Sequence, residues 1–200
     1  MAIFNQQALD ELKRCKEQIE TEVPIDALNN GWLGSSPFQW FSKFNTGWEI
    51  ADLSKTPLNR LELLELIKLS RNKNKLDPSI LRKLIVSVFA WGGMGYSGKS
   101  GKRAIDTIGA YEEVCSKLLN GMPPVNAYAE FYKLKKSKKM QGVGPAYYTK
   151  LIFFFGDQTG LIMDQWTARS TNLLLGKKII KMQNRTHVTD NNSEQIYKSY

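Results

Sequence analysis

The chain has few cysteines, few acidic residues and no long apolar run, and each shortage narrows what it can be. Cys15 and Cys115 stand alone and far apart, too few for a thiolate metal framework. A reducing cytoplasm is the expected setting, on the nucleoid if the source is bacterial. No stretch approaches the roughly 18 apolar residues of a membrane span. The start, MAIFNQQALDELKR, lacks the basic opening and apolar centre of a signal peptide. There are no internal repeats and no low-complexity segment. Acids number 19 against 28 Lys+Arg, a net charge of +9. That excess favours a polyanionic partner. An anionic membrane is the rival partner, but no long basic helix with an aromatic face supports it.

What is present reads as one helical domain. At 200 residues, 42% hydrophobic and 11% aromatic, the chain can bury a proper core, as a globular enzyme does. A surface helix is expected over 3–22, ending before Pro24. Three tryptophans, Trp32, Trp40 and Trp48, sit among Gly, Ser, Pro and Asn over 24–56. So dense a set suits core packing, with a base-stacking platform as the functional alternative. Thr56-Pro57 predicts a helix to about Ser70, followed by the polar basic loop 71–75. Asp77-Pro78 caps the next helix, whose Ile80, Leu81, Leu84, Ile85, Val88 and Phe89 form a helical stripe up to Trp91. Further helices are expected over 104–120, from Ala127 to Lys136, from Ala146 to Phe155, after Asp164 and from Ser193.

The stretch from Lys133 to Gly176 carries the functional signal. Gly142-Val143-Gly144 turns the chain where glycine tolerates positive φ. Pro145 is pre-set for a first helical position, and the helix behind it is apolar nearly all round, so it should be buried. A helix start with free N–H groups and little bulk suits a phosphate, and Lys133, Lys135, Lys136, Lys138 and Lys139 crowd charge beside it. Asp164 follows the apolar Leu161-Ile162-Met163 and opens another helix.

Over about residues 127–176 this pattern of GVG hairpin, Gly-bearing loop and spaced aspartate resembles the helix-hairpin-helix (HhH-GPD) DNA glycosylase superfamily. Within it, the likeness is to the 8-oxoguanine DNA glycosylase branch, which has a ring-bearing residue two places after the aspartate, here Trp166. The resemblance implies an all-α fold in two lobes with a base pocket between them. The first part, to about residue 123, would carry the glycine-rich loop 92–101; the second, 124–200, the hairpin and the acid. The four-cysteine iron–sulfur cluster of endonuclease-III-type relatives has no ligands here, and no cofactor or metal is expected. Further helix after Tyr200 is implied by the same likeness.

By that resemblance Asp164 is the catalytic carboxylate, stabilising the cationic sugar as the base leaves; read alone, it is an ordinary N-cap. Bifunctional relatives carry a lysine two residues after the second hairpin glycine, where this chain has Ala146. That departure predicts a monofunctional enzyme using water. Lys150, one turn later on the same face, is the alternative amine nucleophile; otherwise it reaches out to solvent. Gly142, Val143, Gly144, Thr149 and Trp166 are expected at DNA, with Lys133, Lys138 and Lys139 adding sequence-independent attraction. Trp166 stands where the branch has a histidine, which weakens its assignment to phosphate. Trp91, Gly92 and Gly93 are expected at the base pocket, with Lys99, Lys102 and Arg103 toward phosphates.

Two other readings remain. GMGYSGKS at 93–100 satisfies the Walker A pattern, with Lys99 as its lysine and LIFFFGD at 151–157 as a Walker B strand. Against it, residues 80–91 have helical period, and few strands are legible for a parallel sheet. A non-catalytic helix-hairpin-helix DNA-binding module is the second. The expected partner is double-stranded DNA with a damaged or modified base, bound by a monomer, with no membrane involved. Affinity for a duplex should fall about 40-fold from about 50 to about 200 mM salt if three phosphates are neutralised; a flat salt dependence in a binding titration would count against DNA.

Overall fold

The computed structural model describes residues 5–22, 31–46, 49–71, 76–95 and 99–200, with the backbone alone described over 15–22. Phe4, Trp48, the basic loop at 72–75 and residues 96–98 of the glycine-rich stretch lie outside the described residues. Ten helices and one two-stranded hairpin make up the regular structure there. The helices are α1 (Gln6–Glu22), α2 (Pro37–Phe41), α3 (Arg60–Arg71), α4 (Pro78–Trp91), α5 (Lys99–Asp106), α6 (Gly109–Leu119), α7 (Pro124–Lys136), α8 (Pro145–Phe155), α9 (Gln165–Leu174) and α10 (Glu194–Ser199). The hairpin pairs β1 (Met182–Gln183) with β2 (His187–Val188) antiparallel. The all-α expectation holds.

Proline and short polar caps start the helices, as the sequence indicates. Asp77 accepts from Ser79 N at 2.7 Å ahead of Pro78, and Ser36 caps α2 ahead of Pro37. Three boundaries differ from expectation, the first being that α7 starts at Pro124 and not at Ala127. Thr56-Pro57 stays outside α3, because Asn59 and Glu62 satisfy each other's backbone N–H at 2.9 and 2.8 Å and set the start there. The single helix expected over 104–120 is two, α5 and α6. Thr107 sits at the break, donating to Arg103 O at 2.8 Å and accepting from Gln141 N at 3.2 Å, which ties it to the turn before α8.

The core forms around α4 and α8. Residues 84–91 of α4 are buried without interruption, and α8 is buried from Tyr148 through Phe155, so neither helix has a solvent stripe and both must be enclosed. Trp40 is fully buried and its Nε1 donates to Met94 O at 2.6 Å. It is therefore a packing residue that holds the loop after α4. Trp32 is different, 56% exposed, with its Nε1 donating to Trp91 O at 2.7 Å.

The turn between α7 and α8 is clamped against α5. Gly142 has φ +73°, and a Cβ there would fall on the Ser100 carbonyl oxygen and 2.7 Å from Ala104 N. The position needs glycine both for its conformation and for its neighbours. Gly156 ends α8 with extended backbone (φ −79°, ψ −163°). Gly142→Ala should cost about 3 kcal/mol of stability, read as a lower urea midpoint; a loss below about 1 kcal/mol would mean that α5 yields easily.

Candidate active site

A cleft of about 910 Å³ opens where the turn before α8, the end of α4 and the start of α9 meet. Its walls include Trp32, Trp91, Gly92, Tyr147, Lys150 and Asp164. Asp164 is placed by a short loop fixed from several sides. Tyr197 and Tyr200 donate to the carbonyls of Leu161 and Ile162 at 3.1 and 2.8 Å. Thr167 Oγ1 donates to Ile162 O at 2.7 Å, and Met163 N donates to Thr149 Oγ1 at 2.9 Å. The loop preceding the acid has little freedom to move.

Asp164 also caps α9. Its Oδ1 accepts from Trp166 N at 2.9 Å and Thr167 N at 3.2 Å, and Thr167 Oγ1 accepts from Asp164 N in return. The capping box engages Oδ1 and leaves Oδ2 toward Lys150, whose Nζ lies 3.8 Å away. One oxygen therefore orients the carboxylate while the other faces the Lys150 amine.

Lys150 is only 8% exposed. Its amine donates to Ala146 O at 3.2 Å and lies 5.2 Å from the centre of the Tyr147 ring. A Cβ on Gly92 would come within 3.0 Å of Lys150 Cδ, so the absence of a side chain there makes room for the lysine. Burial pushes the Lys150 amine below its ordinary range, and the Asp164 carboxylate opposes that shift without overcoming it. An amine so placed carries a free electron pair more often than a surface lysine does, which is the requirement for nucleophilic attack at carbon.

Residues 32–200 match the family described as "Putative 8-oxoguanine DNA glycosylase OGG-like protein". The chain belongs to this family. No curated protein and no solved structure matches it.

The cleft brings together Asp164, Lys150, Gly142, Gly144, Trp166, Trp91, Gly92 and Gly93 from the sequence-derived set. Several others lie elsewhere. Thr149, expected as a hydroxyl donor to phosphate, is fully buried. Its hydroxyl donates to Pro145 O at 2.6 Å and accepts from Met163 N, so it joins α8 to the Asp164 loop. The Val143 side chain faces the core, and its carbonyl accepts from Lys135 Nζ at 2.9 Å. Lys135 also pairs with Asp190 at 3.2 Å, which offsets part of the charge expected beside the turn. Lys133, Lys138 and Lys139 are exposed around the end of α7, outside the cleft lining.

Trp91 is a buried wall, edge-on to Phe154 at 4.9 Å, with its Nε1 unpartnered. Trp166 is 64% exposed, with the Arg169 guanidinium 5.1 Å from its ring centre. Lys99 and Arg103 are exposed on α5, and Lys102 pairs with Asp106 at 2.8 Å. The P-loop alternative fails on geometry. Helix α4 runs directly into Gly92, and 151–155 is the end of α8, so neither Walker strand exists.

Sequence reasoning missed the hairpin β1–β2, which brings Thr186, His187 and Val188 to the cleft, and it missed Arg60 and Tyr147. Two-residue strands leave no alternation to read; Asn184, a turn residue with φ +48°, is the one local signal. Among the described residues no group of three or more His, Cys, Asp or Glu could hold a metal ion.

Burying Lys150 has a stability consequence. Because its folded pKa is lowered, the unfolded chain binds more protons between the folded and unfolded values. Stability therefore rises with pH through that window, and the full penalty is felt below it. Lys150→Met should stabilise the fold at neutral pH by about 1–2 kcal/mol and remove that rise. Urea midpoints at pH 7 and 9 test both; a destabilised variant would show that the amine helps hold the helix.

Proposed function

We propose that the protein is a DNA glycosylase that flips a damaged or modified base into this cleft and breaks its N-glycosidic bond. Asp164 and Lys150 are the reacting pair, and 8-oxoguanine is the first substrate to try because of the family likeness. The observation that carries the proposal is the nearly enclosed Lys150 amine, 3.8 Å from a carboxylate whose other oxygen is held by a helix start. The net charge of +9 suits a duplex. The helix-turn-helix of α7 and α8, with Gly142 and Gly144 at the cleft edge, suits a backbone phosphate.

The chemistry follows from that pair. The base must leave the stack to be reached, at a cost of a few kcal/mol. The neutral Lys150 amine attacks C1′ of the sugar, and the C1′–N bond breaks with its electron pair going to the base. Asp164 stabilises the positive charge that develops on the sugar and takes the proton that the amine sheds. Asp164 then returns that proton to O4′ as the C1′–O4′ bond opens and the nitrogen lone pair forms the C=N bond, leaving a protonated Schiff base on Lys150. Ala146 alone favours water over an amine, but the buried Lys150 amine beside residue 146 supports covalent attack, with strand cleavage following from the Schiff base. The non-catalytic module is the weaker reading, because it gives the buried lysine no task.

Borohydride should trap a covalent adduct of the wild type with an 8-oxoguanine duplex and none with Lys150→Gln. Asp164→Asn should lose at least about 100-fold in base release while binding DNA normally, since asparagine caps α9 as well as aspartate does. Base release without an adduct would assign the attack to water and restore the monofunctional reading. Salt-sensitive binding with neither release nor adduct on any damaged base would leave a DNA-binding module.

A further inference from the structure

The hairpin β1–β2 is held by several side chains from other elements, and its second strand lines the same cleft as Lys150 and Asp164. Residues Asn184 and Arg185 both have left-handed backbone, φ +48° and +57°, closing a turn between Gln183 and His187. Arg169 on α9 donates from Nε at 2.7 Å and also from Nη2 to the Arg185 carbonyl. Asn172 on α9 exchanges two hydrogen bonds of 2.9 Å with the backbone of Ile180. The fully buried Asn192 accepts from Lys181 N at 2.8 Å and donates to the carbonyls of Lys181 and Thr189 at 2.9 Å. Tyr128 in α7 closes the arrangement with a 2.8 Å bond to Asn192 O.

These anchors fix β2 against α8 and α9, the helix carrying Lys150 and the helix capped by Asp164. Along β2 the pleat buries Val188 and leaves His187 exposed on the cleft wall. His187 is the chain's one histidine. Thr186 Oγ1 takes up its Nδ1 at 2.8 Å, and among the described residues Nε2 has no protein partner. A histidine oriented through one nitrogen, with the other left for a ligand, is the usual form of a proton donor.

The geometry points to His187 as the acid that protonates the departing base. This rests on the glycosylase reading above. As the C1′–N bond breaks, its electron pair goes to the base, and the Nε2–H of the imidazolium passes its proton to a ring nitrogen or carbonyl oxygen of that base. Nδ1–H stays on Thr186 Oγ1, the ring becomes neutral, and solvent returns the proton after the base has gone. Asp164 and Lys150 then act at the sugar, while His187 acts at the base. The substrate class is a nucleobase that offers an acceptor atom to the hairpin side of the cleft.

Two duplexes separate this role from a structural one, the first carrying 8-oxoguanine and the second a preformed abasic site. The second has no base to protonate but still presents C1′ to Lys150. In single-turnover assays His187→Gln should slow base release from the first about 100-fold. Its borohydride trapping on the second should stay within about twofold of wild type, because a positioning defect would slow both reactions. Arg185→Ala, at the turn but without the acid, should slow base release far less. Base release within about threefold of wild type in His187→Gln overturns the assignment, and so does an equal fall on both duplexes. Wild type that neither frees base nor traps the abasic duplex overturns the glycosylase reading as well.

Discussion

The Lys150 amine is the constraint that the site is built around. An ammonium taken out of water is among the most expensive groups to bury, and proteins usually relieve the cost by pairing or deprotonating it. Here the helix supplies one acceptor, the Ala146 carbonyl, and Asp164 stands at 3.8 Å, longer than a direct hydrogen bond. The partner is near enough to favour the ammonium through space and too far to bind it tightly. Gly92 leaves space for the aliphatic stem, and Tyr147 lies alongside the amine. A lysine serving only the fold would gain from a closer partner or from pointing outward.

In the reaction proposed above Asp164 would be a capping residue and a catalytic residue at once, and its geometry lets the two roles coexist. Two backbone N–H groups hold Oδ1, which fixes the plane of the carboxylate and sets it at the positive end of α9. That orientation is what a reacting oxygen requires, since preorganised charge needs no rearrangement during the reaction. Thr149 belongs to the same device. Its hydroxyl joins the first turn of α8 to the residue before Asp164, so the lysine's helix and the acid's loop move together.

Most of the fold was legible because it is written in helical periodicity and caps. The stripe from Ile80 to Phe89, the Asp77-Pro78 start and the all-round apolar α8 needed only local rules. The Gly142 turn and the spacing to Asp164 were equally plain. What escaped depends on contacts between distant segments. The break between α5 and α6 is set by Thr107 bonding to Gln141, and the hairpin by Arg169, Asn172 and Asn192 reaching over from other elements. The three tryptophans could not be told apart by density. Trp40 packs inward, Trp32 faces the cleft from a fixed position, and Trp48 lies outside the described residues.

The placement of Lys150 has a simple helical explanation. Residue 146 is where a nucleophilic lysine would stand by resemblance, and this chain has alanine there. Four residues on, the backbone has advanced about 6 Å along the axis. Side chains on a helix lean toward its N-terminus, and a lysine's extended stem is about as long as that advance. The amine of Lys150 therefore comes back beside the backbone of residue 146, and its bond to the Ala146 carbonyl records that return. Ala146 is small enough not to obstruct it, and Gly92 opposite leaves room for the stem. A search for the lysine by sequence offset alone would miss it, because its residue lies one turn further along the helix than the position the resemblance marks, while its amine reaches back to that position's backbone.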